Sequence, residues 1–507
     1  MTEITQELSD GLRLRRLADK FVVTEPRVGA YSVLDQLELL VFFALRAEPA
    51  ESAAAVFERL GVDAETAGSR GLALEARLHE EGWNRRRLPS MEEWEGDVLP
   101  LQAAQFTVTR VCNLECSYCY QGMPEGKTNM RVEDARTILD KIQRVNPNCY
   151  LNVVGGEPFA HPRFFDILDL IEERGFPFGI VTNGTLLTEE KVLRLKQFQR
   201  LLKVQVSMDG MTEETHNLTR EGFERTKAAV GLLAKQEVFC VVSPTVHDGN
   251  KHEMRDLAEF AYENGGGIAF NQCRVFPHAP NPTGASITQE SLFKSIIVDF
   301  SVNPVPTRAQ PYVGCTGAGI TSKRPEEGKR PRLICGMGRE LLNIDWNGDV
   351  HPCHLLRVDE LKLGNVVEQD FPDIFDTVTR RRLRVPSTEM PKCQSCDWVA
   401  ECAGGCRAGA YFSYGTLRHE DDCCPSHHNG MLLALEFNAR GYTEPKDRRG
   451  EFTFELEHSE RMKNPIGMPA DGRPRRMLPV LQESRSSGSS GCCASGAQTT
   501  KPPAHAH

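Results

Sequence analysis

Val111-Cys112-Asn113-Leu114-Glu115-Cys116-Ser117-Tyr118-Cys119-Tyr120 sets three cysteines at C-x3-C-x2-C spacing at the end of a strand-like run, Phe106 to Val111. Three thiolates can hold three irons of a [4Fe–4S] cube and leave the fourth iron open for a substrate, whereas an electron-transfer cluster normally closes itself with four. Read alone, the triplet also admits a closed zinc site completed by one distant ligand, or three structural thiols. The cysteine census favours metal. The chain has 17 cysteines in 507 residues, and Met1 to Asp10 is polar and acidic, with no apolar core of a signal peptide. A cytoplasmic, reducing location is therefore expected, where cysteine-rich chains bind metal rather than form disulfides. No apolar run approaches the roughly 18–20 residues that span a bilayer, so no membrane partner is expected. A net charge of −10 argues against a nucleic-acid partner.

Outward from the triplet, the chain alternates strand-like and helix-like segments. The expected strands are Ala104 to Thr109, Tyr150 to Val154, Gly179 to Thr182, Val204 to Ser207, Val238 to Pro244 and Ile268 to Gln272. The expected helices are Val132 to Arg144, Phe164 to Glu173, Glu189 to Gln197, Phe223 to Lys235, Glu253 to Asn264 and Gln289 to Val302. Six β-α units in series predict an α/β fold with a parallel sheet. A partial (β/α)6 TIM-like barrel over residues 100–305 is expected, although the pattern does not separate it from a doubly wound sheet. In either, ligands belong at the C-terminal ends of the strands.

The triplet, with an aromatic residue before its third cysteine, resembles the signature of the radical S-adenosylmethionine (SAM) superfamily. The resemblance implies that the open iron chelates the amino and carboxylate groups of SAM, and that one electron splits the sulfonium to a 5′-deoxyadenosyl radical. Gly155-Gly156-Glu157-Pro158, after the second strand, resembles the motif that binds the SAM ammonium. Glycines there let the backbone approach a ligand closely. Thr182-Asn183 ends the third strand and Ser207 the fourth, where relatives contact the SAM ribose and carboxylate. Arg220 is a candidate partner for that carboxylate, and Tyr118 for packing on the adenine. Each of these residues also reads as an ordinary turn or cap residue. No G-x4-G-K-[ST] loop occurs, so nucleoside triphosphate chemistry has no support.

The cysteines then resume. Cys335 is followed by Gly348 and Cys353, then by Cys393, Cys396, Cys402 and Cys406, and then by Cys424-Pro425. The pattern C-x(9–15)-G-x4-C, gap, C-x2-C-x5-C-x3-C, gap, C resembles the SPASM domain of peptide- and protein-modifying radical SAM enzymes. Two zinc knuckles are the alternative. Carried over residue by residue, Cys335, Cys353 and Cys406 hold a first auxiliary [4Fe–4S] cluster, with Cys315 as its fourth ligand unless that iron is open. Cys393, Cys396, Cys402 and Cys424 hold a second. Cys423 competes with Cys424, but the Asp421-to-Pro425 context resembles the usual end of the domain. With the SAM-binding cluster this makes three. Leu341 to Val350 reads as a hairpin turning at Asn347-Gly348, and Arg380-Arg381-Arg382 as a solvated helix face.

Ahead of the barrel, Leu17 to Val23 and Ala30 to Leu34 read as strands, and Leu37 to Leu45, Ser52 to Leu60 and Ala64 to Glu81 as helices. This order predicts a winged-helix-like domain over residues 13–98. Residues 51–81 carry three arginines against seven carboxylates, 3 − 7 = −4, the wrong sign for a phosphate backbone. The arrangement resembles the leader-binding domains (RiPP recognition elements, PqqD-like) fused to peptide-modifying radical enzymes, which take an extended peptide along a sheet edge. Residues 310–430 are assigned to the SPASM domain, 431–479 to an extension, and the Ser/Gly/Pro-rich 480–507 to a disordered tail.

Taken together, the resemblance implies a radical SAM/SPASM maturase that abstracts hydrogen from a ribosomal precursor peptide bound through its leader. It would leave a thioether or carbon–carbon cross-link and draw electrons from a flavodoxin- or ferredoxin-type reductant. An anaerobic sulfatase-maturing (formylglycine-generating) enzyme is a second reading. In that family an aspartate base follows the cysteine matching Cys353; here the residue is His354, a candidate proton acceptor titrating near neutral pH. A non-catalytic iron–sulfur electron carrier is the reading from another class.

Overall fold

The computed structural model describes residues 6–8, 11–17, 19–47, 51–85, 87–88, 100–122, 128–276, 279, 285–302, 312–314, 335–440, 460–466 and 468. Cys315, Cys492, Cys493 and the tail from 480 lie outside them.

The N-terminal unit opens with β1 (Gln6–Glu7), β2 (Arg13–Leu17), β3 (Lys20–Glu25) and β4 (Ala30–Leu34), an antiparallel sheet in chain order. The single strand expected over Leu17 to Val23 is instead split by a hairpin, with Leu17 paired to Lys20, because the charged Asp19 and Lys20 interrupt the apolar run. Helices α1 (Gln36–Leu45), α2 (Ala53–Arg59) and α3 (Ala64–Glu80) follow. Each starts at a side-chain cap, Asp35, Ser52 or Asp63, and Asp35 with Glu38 closes a reciprocal capping box. Strand alternation divides the sheet between two faces. Val23 and Leu34 pack with Phe42, Phe57 and Leu74 under the helices, whereas Leu17 and Val22 pack with Trp398 and Leu435 of the C-terminal region.

The barrel strands are β5 (Ala103–Thr109), β6 (Tyr150–Gly155), β7 (Phe178–Thr182), β8 (Leu201–Val206), β9 (Cys240–Val242) and β11 (Gly267–Gln272). A short β10 (Thr245–Val246) also pairs with β11. All six pair in parallel and in sequential order. A doubly wound sheet reverses its order at a switch point; this one does not, so the chain winds in one direction as in a partial barrel. The crossover helices include α4 (Val132–Val145), α5 (Phe164–Glu173), α6 (Glu189–Leu195), α7 (Glu213–His216), α8 (Phe223–Lys235) and α9 (Met254–Glu263). In α4 the buried positions Val132, Ala135, Ile138, Leu139 and Ile142 recur at the spacing of one helix face. The helix expected over Gln289 to Val302 forms with a π-helical segment, Phe293–Val298, inside it.

Beyond β11 a short β12 (Tyr312–Gly314) pairs with it in parallel, and the C-terminal hairpin that follows forms as expected. Strand β13 (Leu341–Ile344) pairs antiparallel with β14 (Asp349–His351) around Gly348, whose φ of 84° favours glycine. It also does something the local pattern did not announce, since β13 pairs in parallel with β5, Leu341 to Ile344 against Ala103 to Phe106. The cysteine-rich domain thereby continues the barrel sheet beyond the strand that leads into the cysteine triplet.

Candidate active site

One end of the barrel gathers the C-terminal tips of all six strands around a cavity of about 430 Å³. Its wall includes Cys112, Cys116, Cys119, Tyr118, Gly155, Gly156, Thr182, Asn183, Ser207, Arg220 and His354, which the chain scatters over more than 240 positions. Glu157 is the exception. Its carboxylate is fully buried behind the wall and accepts Thr182 Oγ1 at 2.7 Å, the Asn183 amide at 2.8 Å and the Phe159 amide at 3.1 Å. The direct ammonium contact expected of it is replaced by bonds that hold the tip of β7 against β6.

The glycine pair also works differently from the expectation. A Cβ on Gly156 would stand 2.5 Å from the Val111 carbonyl oxygen, and one on Gly155 2.8 Å from Thr109. The close approach is to the backbone just before Cys112. Hydrogen bonds from Gly156 N to Thr109 O and from Glu157 N to Val111 O, both 2.8 Å, seal that contact.

The three thiols of the triplet lie within electrostatic reach of one another. Burial first, then neighbouring negative groups, push Cys112 up to about 11, and burial raises Cys116 and Cys119. Sulfurs that are costly to ionise alone, yet brought together in a buried pocket, are the donor set of a cationic metal centre, which deprotonates its thiols on binding. The later cysteines divide the same way. Cys406 acts on both Cys335 and Cys353, while Cys424 acts on Cys393 and Cys402, and Cys396 on all three. Cys423 stands apart from that second group; it is fully buried, with the Arg274 guanidinium 3.7 Å from its sulfur.

His354 forms an edge-to-face contact with Tyr120, ring centroids 5.4 Å apart. Burial, aided by Arg357, depresses its imidazole to about 4, so the expected titration near neutral pH is corrected to a ring that is neutral there. Tyr118 and Arg220 are bonded to each other and to Asp209, a carboxylate the motif reading passed over.

Other wall residues were also missed. The inward positions of the strands carry Gln105, Asn152, Gln205, Ser243 and Asn271. Asn152 Nδ2 donates to Gln105 Oε1 at 2.6 Å, and Gln205 Nε2 and Asn271 Nδ2 donate to Ser243 Oγ at 2.9 and 2.7 Å. Branched apolar side chains fill the interior of a packed barrel; carboxamides mark a binding wall. The signal was present in sequence, because Gln105 alternates with the buried Ala104 and Phe106. Arg274 gave no such signal. It ties the rim to the C-terminal region through Asp422 at 2.6 Å and Asp421 at 3.5 Å, and Asp421 in turn accepts the Cys406 amide at 2.6 Å.

Residues 106–261 match the model of the Radical SAM superfamily, and residues 335–397 match SPASM, an iron–sulfur cluster-binding domain. The chain is 28% identical over 340 residues to the AdoMet-dependent heme synthase of Methanosarcina barkeri, across 62% of this chain and 94% of that one. It is 26% identical over 289 residues to the antilisterial bacteriocin subtilosin biosynthesis protein AlbA of Bacillus subtilis, across 55% of this chain and 60% of that one. The solved structure of Streptococcus suis SuiB bound to precursor peptide SuiA shares the fold at a TM-score of 0.56 and 16% identity, covering 83% of this chain and 100% of that one. No helix among the described residues is long and apolar enough to cross a membrane. A Radical SAM match on a domain of parallel α/β architecture, followed by a SPASM match, identifies the chain as an enzyme similar to those of radical SAM chemistry rather than a passive electron carrier.

Proposed function

We propose that the enzyme is a maturase that abstracts hydrogen from a residue of a ribosomally made precursor peptide and installs an oxidative thioether or carbon–carbon cross-link. The observation that carries this reading is the carboxamide wall facing the cysteine loop. Gln105, Asn152, Gln205 and Asn271 offer donors and acceptors in the pattern of backbone amides, and Asn152 Oδ1 is left without a donor. Among the described residues, the cations on the wall are already engaged: Arg110 with the Gln121 carbonyl, Arg220 with Asp209, and Arg274 with Asp421 and Asp422. A haem-forming activity is the second reading, favoured by the similarity to the heme synthase. Its substrates carry carboxylates, which call for uncommitted cations.

The N-terminal unit supports the peptide reading. Strand β4 ends its sheet, and an extended leader can add along that edge as on a winged-helix-like recognition element. SAM binds at the Cys112, Cys116 and Cys119 cluster, with Thr182, Asn183 and Ser207 as polar contacts. Cys335, Cys353 and Cys406 hold one auxiliary [4Fe–4S] cluster, and Cys393, Cys396, Cys402 and Cys424 the other. When bound, SAM and its cluster supply a hydrogen-abstracting radical. His354 stands where sulfatase-maturing enzymes carry an aspartate; kept neutral by burial it is a weak proton acceptor, and it serves the wall through its edge-to-face contact with Tyr120. A flavodoxin- or ferredoxin-type protein delivers the electrons.

The test is made on anaerobically reconstituted enzyme holding about twelve irons, four for each cluster, incubated with SAM, dithionite and a synthetic precursor encoded beside the gene. A product lacking a pair of hydrogens, formed by intact enzyme but not after removal of residues 13–98, is expected, with SAM cleavage retained by the truncated form. Equal modification by both forms would overturn leader recognition. Formylglycine in a Cys-type sulfatase peptide would overturn the cross-linking assignment.

A further inference from the structure

Asp209 lies three residues beyond the end of β8 and is fully buried. Its Oδ2 accepts Arg220 Nε at 2.9 Å, Thr219 Oγ1 at 3.0 Å and the Tyr118 hydroxyl, and its Oδ1 accepts the Thr245 amide at 2.9 Å. The Tyr118 hydroxyl, while donating to Asp209, accepts from Arg220. Tyr118 stands between Cys116 and Cys119, and the adjacent Ser117 amide donates to the Thr219 carbonyl at 3.0 Å. One carboxylate thus joins the tips of β8 and β10 and the segment after α7 to the loop that carries the triplet.

A buried ion pair stays bound because each charge is costly alone. The side chains of Arg220 and Asp209 are 9% and 0% exposed. Burial works against the Asp209 charge, but Arg220 and Tyr118 hold its carboxyl below the ordinary carboxylate range. The positive end of the pair reaches the sulfurs, since Arg220 lowers both Cys116 and Cys119 while Asp209 raises Cys116.

We propose that Asp209 is the positioning residue of the radical-generating site: it locks Tyr118 and Arg220 onto the cysteine loop and, as the counter-charge of Arg220, sets the reduction potential of the cluster held there. This rests on the assignment of a [4Fe–4S] cluster to Cys112, Cys116 and Cys119. Hydrogen bonds and nearby charge around a cluster tune its potential. Removing the negative member exposes the reduced cluster to an uncompensated cation and favours reduction; removing the positive member does the opposite.

The experiment is an EPR-monitored redox titration of reconstituted full-length protein, following the signal that changes on addition of SAM. Asp209→Asn, which keeps shape and an acceptor oxygen, is expected to move that potential upward. Arg220→Gln should move it downward, and the double variant should return towards wild type. Shifts of the same sign in the two single variants, or an unmoved potential in either, would overturn the proposal. If Asp209→Asn fails to fold, Arg220→Gln alone decides, by a downward shift or none. Failure of the underlying assignment looks different: the Cys112, Cys116 and Cys119 triple alanine variant would then retain the full wild-type iron content.

Discussion

His216 shows how one buried side chain leaves a measurable trace. Its Nδ1 accepts the Asp209 amide at 3.2 Å, and burial depresses its imidazole from 6.5 to about 4. The unfolded chain takes up a proton below pH 6.5 and the folded chain does not until about pH 4, so folded-state stability falls as pH drops through that window. Between pH 7 and pH 5 this one group removes about 2 kcal/mol. Urea denaturation of the apoprotein should show the loss in wild type and a smaller one in His216→Asn; equal losses would show that the ring takes up its proton as readily in the fold as in the unfolded chain. Residue chemistry of this kind was only partly legible. The cysteine groups were expected from the family resemblance that their spacings carry, and the thiols so grouped are electrostatic neighbours in the fold. The partners of Glu157, Asp209 and Arg274 were not legible, because they lie on other strands.

At the scale of elements, the contact between the β6 tip and the segment before Cys112 governs where the cysteine loop starts. Gly156 has no room for a side chain there. Gly156→Ala should cost roughly 1–3 kcal/mol as an overpacking change and lower the iron bound by the triplet, measured by thermal melting and iron assay of reconstituted protein. An unchanged melt with full iron would mean that the Val111 backbone gives way freely. Strands and helices here were largely legible, since α5 and α8 begin and end where periodicity placed them. The hairpin of β2 and β3 does not show as two strands in the sequence because the charged Asp19-Lys20 is a short break in an apolar run.

For the whole molecule, the junction between the N-terminal sheet and the cysteine-rich domain is built around Asp397, next to the ligand candidate Cys396. Asp397 accepts Arg13 Nη1 at 2.8 Å and Thr24 Oγ1 at 2.9 Å, beside Tyr31 stacked edge-on to Trp398. Asp397→Ala should weaken this docking by roughly 1.5–3 kcal/mol, the range for bonds to a charged group. Faster amide hydrogen exchange in β2 and β3 with unchanged iron content is the expected readout. Exchange as slow as in wild type would assign the docking to the apolar contacts alone.

The sequence by itself determined the repeated β-α order, the cysteine spacings and the turn at Gly348, because each depends on residues close along the chain. Only the tertiary structure decided that the sheet winds one way and that β13 extends it at β5. The same holds for the inward carboxamides meeting as one wall. These rest on pairings between residues up to hundreds of positions apart, and no local pattern encodes which strand edge or buried charge a distant residue will meet.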